Sequence, residues 1–187
     1  MRDYGIVLIN GKRVGVLDRR LKQDSLLVEL PTGNVTIDIL VENMGRINFG
    51  PNLLKNEKGI TNRVTFNGQE LHNWQMYSLP FDHIGNISFN KPYQSKQAPI
   101  LKKAVFELTK TGDTYLDMRL WGKGAVWVNG HHLGRYWAIG PQQTIYVPAE
   151  WLRKGKNEIV VLELLTTGQN SLQSLHKPVL DVLAEKK

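Results

Sequence analysis

Short runs rich in valine, isoleucine, leucine and aromatic residues recur along the chain, separated by glycine, proline and asparagine. Such runs predict β-strands, because β-branched and aromatic side chains pack well on a pleated surface. The predicted strands cover residues 5–9, 13–17, 25–30, 35–41, 64–66, 69–71, 74–79, 104–108, 115–120, 125–128, 131–137, 144–147, 158–164 and 179–183. A helical turn is expected only over residues 149–153, so the pattern predicts an all-β fold.

Three of the boundaries between these runs are Asn-Gly pairs, at residues 10–11, 67–68 and 129–130. The pair favours a two-residue type I′ turn, because both central positions of that turn need a positive φ. Each pair therefore predicts a β-hairpin.

An internal repeat relates the two halves of the chain. Three segments recur in the same order, residues 7–15 as 126–134, 28–31 as 145–148, and 39–42 as 160–163. We interpret them as two copies of one β-unit with a boundary between residues 79 and 99. The last pair places Glu42 and Glu163 at equivalent positions, so we expect both side chains to anchor the loop that follows.

The two copies begin differently. The second has room for two additional strands before Asn129, whereas only nine residues precede Asn10. We therefore expect a partial first β-sandwich over residues 1–80, a linker over 81–98 and a second sandwich over 99–187. A sandwich truncated at its N-terminus leaves an unpaired edge, which predicts self-association and a chain that is the C-terminal piece of a longer protein.

Charge and residue composition narrow the classes of partner. The 187 residues carry a formal net charge of +7, but the basic residues lie in scattered groups, which favours a solvated surface or a charge-complementary neighbouring domain over nucleic-acid binding. No apolar stretch approaches the length of a membrane span.

Metal binding is also disfavoured. The chain has no cysteine, and His131 and His132 are adjacent in a predicted strand, so their side chains point to opposite faces. We therefore predict neither a metal site nor a cofactor.

Two stretches carry a resemblance to a known family, residues 40–50 and the Gly/Trp-rich run 121–137, continued by 139–144, 146–148 and 157–164. They resemble the C-terminal β-domains of family 35 β-galactosidases. The resemblance implies two jelly-roll sandwiches of the galactose-binding-like type. In that family these follow a (β/α)₈ barrel that carries two catalytic glutamates. No residue of this chain matches those glutamates, so no catalytic residue is assigned, and the expected partner is the barrel.

An aromatic cluster of Trp121, Trp127, Tyr136, Trp137 and Trp151 is the strongest candidate for ligand contact. Exposed rings stack on sugars, and nearby polar groups bind hydroxyls, whereas buried rings would form a sandwich core or an interdomain contact. Both interpretations remain open. The predicted carbohydrate-binding residues are Trp127, Asn129, Arg135, Tyr136, Trp137 and Gln142.

These observations predict the non-catalytic C-terminal region of a β-galactosidase-like glycoside hydrolase, which braces the barrel and contacts carbohydrate. The alternative is a stand-alone carbohydrate-binding module for galactosides. The family implies a secreted, periplasmic or lysosomal protein, but the first residues lack the apolar core of a signal peptide, so the compartment stays open.

Overall fold

The computed structural model describes residues 1–89, 99–166 and 168–180. The chain divides into two compact units, residues 1–78 and 79–187. The described elements are strands and short 3₁₀ turns, which confirms the all-β prediction. The strands are β1 Tyr4–Ile9, β2 Lys12–Asp18, β3 Ile37–Glu42, β4 Thr65–Phe66, β5 Gln69–Glu70, β6 Ile100–Leu108, β7 Thr114–Asp117, β8 Lys123–Val128, β9 His131–Trp137, β10 Thr144–Val147, β11 Gly155–Glu163 and β12 Gln173–Leu175.

The first unit is built on a three-stranded antiparallel sheet in the order β2-β1-β3. The central strand β1 buries Tyr4, Ile6 and Ile9, and β4 and β5 form a separate hairpin. Asn10 and Gly11 have φ values of 50° and 72°, as a type I′ turn requires. The turns at residues 67–68 and 129–130 also have positive φ at both positions, so all three predicted hairpins are confirmed.

The internal repeat is visible in the strand pairing. The β1–β2 hairpin has a register shift between Val7 and Leu8, and the β8–β9 hairpin has one between Val126 and Trp127. These positions correspond in the repeat. A register shift of this kind marks a β-bulge or irregularity, which is a specific feature of a strand pair. The two hairpins therefore share a detail of geometry as well as a sequence pattern.

Two predicted strands are wrong. Residues 25–30 and 74–79 contain no strand in the structure. Leu27, Met76 and Tyr77 are almost fully exposed, and an apolar run without a pairing partner does not form a strand. Residues 179–180 are not in a strand either, and the rest of the predicted strand 179–183 lies outside the described residues. The helical turn expected over 149–153 is a 3₁₀ turn at Ala149–Trp151.

The second unit is a β-sandwich of a four-stranded sheet, β6-β11-β8-β9, and a three-stranded sheet, β10-β7-β12. Alternate residues of each strand face the space between the sheets, as expected for strands with one face in a core. The buried core residues are Leu116, Met118, Trp121, Val126, Val128, Tyr136, Ile145, Val147, Ile159 and Val161.

A second apolar cluster lies on the outer face of the four-stranded sheet. Ala125, Trp127 and Val160 form this face, and the segment 81–89 packs on it through Phe81, Ile84, Ile87 and Phe89. Residues 81–98 were expected to form a linker, whereas in the structure residues 79–89 belong to the second unit. An outer face this apolar must be covered to remove it from water.

Candidate functional site

Among the described acidic residues of the second unit, Glu163 is the most deeply buried, with 0% of its surface exposed. Its Oε2 accepts hydrogen bonds from Gly122 N (2.8 Å) and from the Tyr136 hydroxyl (3.0 Å). Its Oε1 accepts from the backbone N–H groups of Lys123, Leu165 and Thr166 at 3.3, 2.7 and 3.0 Å. A carboxylate with five donors is a structural anchor, and here it joins the start of β8 to the loop after β11.

The expected anchoring role of Glu163 is confirmed, but the predicted equivalence with Glu42 is wrong. Glu163 pairs with Gly124 of β8, whereas the residue that corresponds to Gly124 in the first copy, Gly5, pairs with Val41. Glu42 is thus displaced by one residue from the anchoring position. A shift of one residue in strand register turns a side chain to the other face of the sheet, and sequence similarity between the two copies does not reveal such a shift.

Asn129, predicted as a carbohydrate contact, uses its whole side-chain amide inside the protein. Nδ2 donates to Trp151 O (2.7 Å) and to Asn157 Oδ1 (2.8 Å), and Oδ1 accepts from Glu158 N (2.9 Å). These bonds tie the β8–β9 turn to the start of β11.

Trp127 is 6% exposed and lies under the 81–89 segment. Its ring centroid is 5.9 Å from that of Phe81 and 5.0 Å from that of His132. Burial, and then the nearby Arg135, lower the pKa of His132, so this histidine is neutral near pH 7. With neighbouring rings on it, Trp127 presents no open face for stacking on a sugar.

Tyr136 is also interior, at 5% exposure. Its hydroxyl lies 2.8 Å from Leu162 O and 3.0 Å from Glu163 Oε2, and its ring meets Trp121 edge to face at 6.3 Å. The structure therefore uses Trp127, Asn129 and Tyr136 for packing and hydrogen bonding within the domain.

The remaining predicted contacts lie nearer the surface. Arg135 is exposed and Trp137 half-buried on the same face of β9, and the Lys123 Nζ lies 4.3 Å from the Trp137 ring centroid. Gln142 is exposed in the loop before β10, where its Nε2 donates to Thr144 O at 3.0 Å. A carbohydrate contact at these three residues remains a prediction.

A tyrosine pair that was not among the predicted contacts lies on the outer face of the three-stranded sheet. Tyr115 and Tyr146 are directly opposed on β7 and β10, with ring centroids 5.5 Å apart, and Tyr146 is 44% exposed. A hydrogen bond to the Asp113 carboxylate raises the pKa of Tyr146. The alternation around Tyr146, where Ile145 and Val147 point inward, is the signal that predicts this outward ring.

An apolar groove of about 880 Å³ opens between the two sheets of the second unit. Phe106, Leu116, Trp121 and Val161 are among its lining residues. At its rim, Lys102 Nζ donates to Gln169 O (2.6 Å) and to Asn170 Oδ1 (2.9 Å), which holds the loop before β12. Residues of the sandwich core therefore line this groove.

Two further classes of site are missing from the described ranges. No group of three or more histidine and acidic side chains there is arranged to hold a metal ion. No helix in the same ranges has the length and apolar character needed to cross a membrane.

Comparison with known proteins assigns both units. Residues 1–80 match the family model "Beta-galactosidase, first all-beta domain", and residues 99–157 match "Beta-galactosidase, galactose-binding domain". A β-galactosidase of Xanthomonas manihotis is 40% identical over 147 residues, which cover 79% of this chain and 24% of that protein.

Animal relatives are similar over more of the chain. The human β-galactosidase-1-like protein 2 is 35% identical over 90% of this chain and 27% of its own length. The mouse β-galactosidase-1-like protein is 38% identical over 97% of this chain and 29% of its own length. The chain thus spans about a quarter of the length of these relatives. It belongs to the β-galactosidase family and carries the first all-beta domain and the galactose-binding domain of that family.

Proposed function

We propose that this chain is a non-catalytic β-region of a β-galactosidase-like glycoside hydrolase, and that it braces a (β/α)₈ catalytic domain. The observation that carries the proposal is the structural use of Glu163, whose carboxylate accepts hydrogen bonds from two backbone segments and from the Tyr136 hydroxyl. Other acids are likewise held in ion pairs, Asp117 by Arg119 and Glu158 by Lys103. A retaining glycosidase needs two carboxyl groups about 5 Å apart that remain available to substrate.

The first test is an assay of the purified 187-residue chain on a chromogenic β-galactoside. We expect no turnover above the buffer rate. Turnover that is lost in Asp117→Asn or Glu158→Gln, two variants at partly exposed acids, would overturn the proposal.

The bracing role is tested in the Xanthomonas manihotis relative. Replacement of its matched span by this chain is expected to retain folding and β-galactoside hydrolysis, whereas deletion of that span removes both. A deletion variant as stable and active as the intact protein would contradict bracing.

The second candidate function is contact with galactoside carbohydrate, at Arg135, Trp137 and Gln142. Exposure of the first and third side chains and of part of the Trp137 ring supports it. Calorimetry with galactose, lactose and longer galactosides should show saturable heat that is lost in Trp137→Ala and retained in Trp127→Phe. Heat equal to that of buffer at millimolar sugar would contradict it.

The Tyr115–Tyr146 pair is a second candidate carbohydrate site that the same calorimetry can test. Saturable binding that survives Trp137→Ala and is lost in Tyr146→Ala would place the carbohydrate on the three-stranded sheet. Tyr146→Phe keeps the ring and separates stacking from the hydrogen bond to Asp113.

A further inference from the structure

Strand β6 forms one edge of the four-stranded sheet. All nine of its residues pair with β11, and no other strand in the described part of the chain pairs with it. Every second N–H and C=O group along its outer edge is therefore directed away from the sheet. Such an edge is a template for an additional strand.

The side chains on the outer face of β6 have a distinctive order. Lys103, Val105 and Glu107 alternate along the strand and are exposed, with Val105 at 49%. Lys103 contacts Glu158 of the neighbouring strand β11 at 2.5 Å, while Glu107 has no ion pair within the described ranges. The strand thus presents a positive, an apolar and a negative group, symmetric in position about Val105.

We propose that β6 pairs antiparallel with β6 of a second copy of this chain around a two-fold axis at Val105. In this register, Lys103 of each copy lies opposite Glu107 of the other, and the two Val105 side chains meet at the centre. Directly opposed charges of opposite sign, and opposed β-branched residues, are favourable cross-strand pairs.

Neighbouring symmetric registers lose this complementarity. Centring the pair on Lys103 opposes two ammonium groups, and centring it on Ala104 places Lys103 against Val105. Centring it on Phe106 places Glu107 against Val105. The charge order along β6 therefore selects the Val105 register, as an isologous interface requires.

The inner face of the strand is compatible with the same register. Ala104 and Phe106 lie there beside the groove between the sheets, and the register places each opposite the other in the second copy. The second copy would thus extend the sheet across the open side of the sandwich with apolar residues next to apolar residues.

Sedimentation velocity of the full chain over a wide concentration range tests the proposal. We expect a monomer–dimer equilibrium whose dissociation constant rises about tenfold or more in Glu107→Lys, because this change places a second ammonium group opposite Lys103 at both ends of the pairing. Lys103→Glu should weaken the dimer similarly by opposing two carboxylates. Lys154→Glu changes the same charge at an exposed residue outside β6 and should leave the dimer unchanged.

Mixing the two weakened variants gives the sharpest measurement. In a heterodimer of Lys103→Glu with Glu107→Lys, positions 103 and 107 carry carboxylates in one chain and ammonium groups in the other. Both opposed pairs are then attractive, so the mixture should dimerise more tightly than either variant alone. Thermal unfolding of each variant confirms that it is folded. A chain that stays monomeric, a dimer insensitive to both changes, or a mixture no tighter than its components would overturn the proposal.

Discussion

Each of the two units contains a buried carboxylate that holds a loop, but the donors differ in kind. In the first unit, Asp3 accepts from Arg19 Nη1 (3.0 Å), Lys58 Nζ (2.6 Å) and Met44 N (3.0 Å). In the second, Glu163 accepts from four backbone N–H groups and one tyrosine hydroxyl. One anchor uses two cationic side chains, and the other uses dipoles fixed by the fold.

The apolar cores of the two units also differ, in their size. The first unit buries apolar side chains mainly from β1, whereas the second has one cluster between its sheets and another under residues 81–89. A small core leaves more of the stability to electrostatics, which salt and pH can change. The first unit should therefore respond to solution conditions and the second to changes in packing.

The largest expected effect is that of Trp127→Ala in the second unit. Removal of this buried ring should destabilise the unit by about 3–5 kcal/mol, because it leaves a cavity under Phe81. Urea unfolding followed by tryptophan fluorescence and circular dichroism measures the loss. Trp74→Ala in the first unit is the matched control, at a ring 38% exposed, and should cost far less. Equal losses would contradict the comparison.

The next largest effect is expected for Glu163→Gln, which should lower the free energy of unfolding of the second unit by about 3 kcal/mol. The reason is that an amide NH₂ would replace one of the two carboxylate oxygens that accept the five hydrogen bonds. The loss should change only slightly between low and high salt, since the five donors carry no net charge and the attraction to the Lys102 ammonium supplies the part that salt can screen. Glu150→Gln, at an exposed glutamate, should be close to neutral. A strongly salt-dependent loss at Glu163 would show that this cation, and not the backbone, supplies most of its stabilisation.

A smaller effect is expected for Asp3→Asn in the first unit, about 2 kcal/mol at neutral pH. Burial acts to raise the pKa of Asp3, but the hydrogen bonds from Lys58, Met44 and Arg19 together outweigh it and hold this pKa below its ordinary value. The stabilisation is therefore complete above the ordinary aspartate pKa and is lost as the pH falls through the lowered one. The same contribution should weaken with added salt.

Amide hydrogen exchange separates this effect from changes in the second unit. Residues of β1–β3 should lose protection on acidification in the unaltered chain but much less in Asp3→Asn, while β8 and β11 keep theirs. Equal loss in both units would show that Asp3 is not the group responsible.

The smallest effect concerns His132, whose ring centroid lies 5.0 Å from that of Trp127 with the two rings tilted by 39°. Burial first, and then Arg135, lower its pKa, so the folded state binds the proton less readily than the unfolded chain. Stability of the second unit should therefore fall slightly as the pH drops from the ordinary histidine pKa through the lowered one. His132→Gln should remove this part of the pH dependence. An unchanged profile in that variant would assign the dependence to another group.

Local patterns predicted the hairpins well, because an Asn-Gly turn and its flanking strands are encoded by residues adjacent in sequence. They failed at residues 25–30 and 74–79, where apolar residues such as Leu27 and Met76 have no strand beside them. Strand formation depends on a pairing partner that is often far away in sequence, so composition alone overestimated it.

The candidate site was predicted less completely. The sequence identified the aromatic residues but could not distinguish the covered ring of Trp127 from the partly exposed ring of Trp137, because both belong to the outer face of one sheet. The covering residue, Phe81, lies far earlier in the chain than Trp127. The sequence likewise paired Glu42 with Glu163 by similarity, and only strand register showed that Val41 is the true counterpart.

The sequence by itself determined the all-β class, the three hairpins, the repeat and the family, because these follow from local turn chemistry, side-chain periodicity and matching segments. The tertiary structure decided which aromatic rings are covered, which carboxylates are anchors and which strand remains an edge. Those properties depend on contacts between residues distant in the chain, and a shift of one residue in pairing reverses the face to which each side chain points.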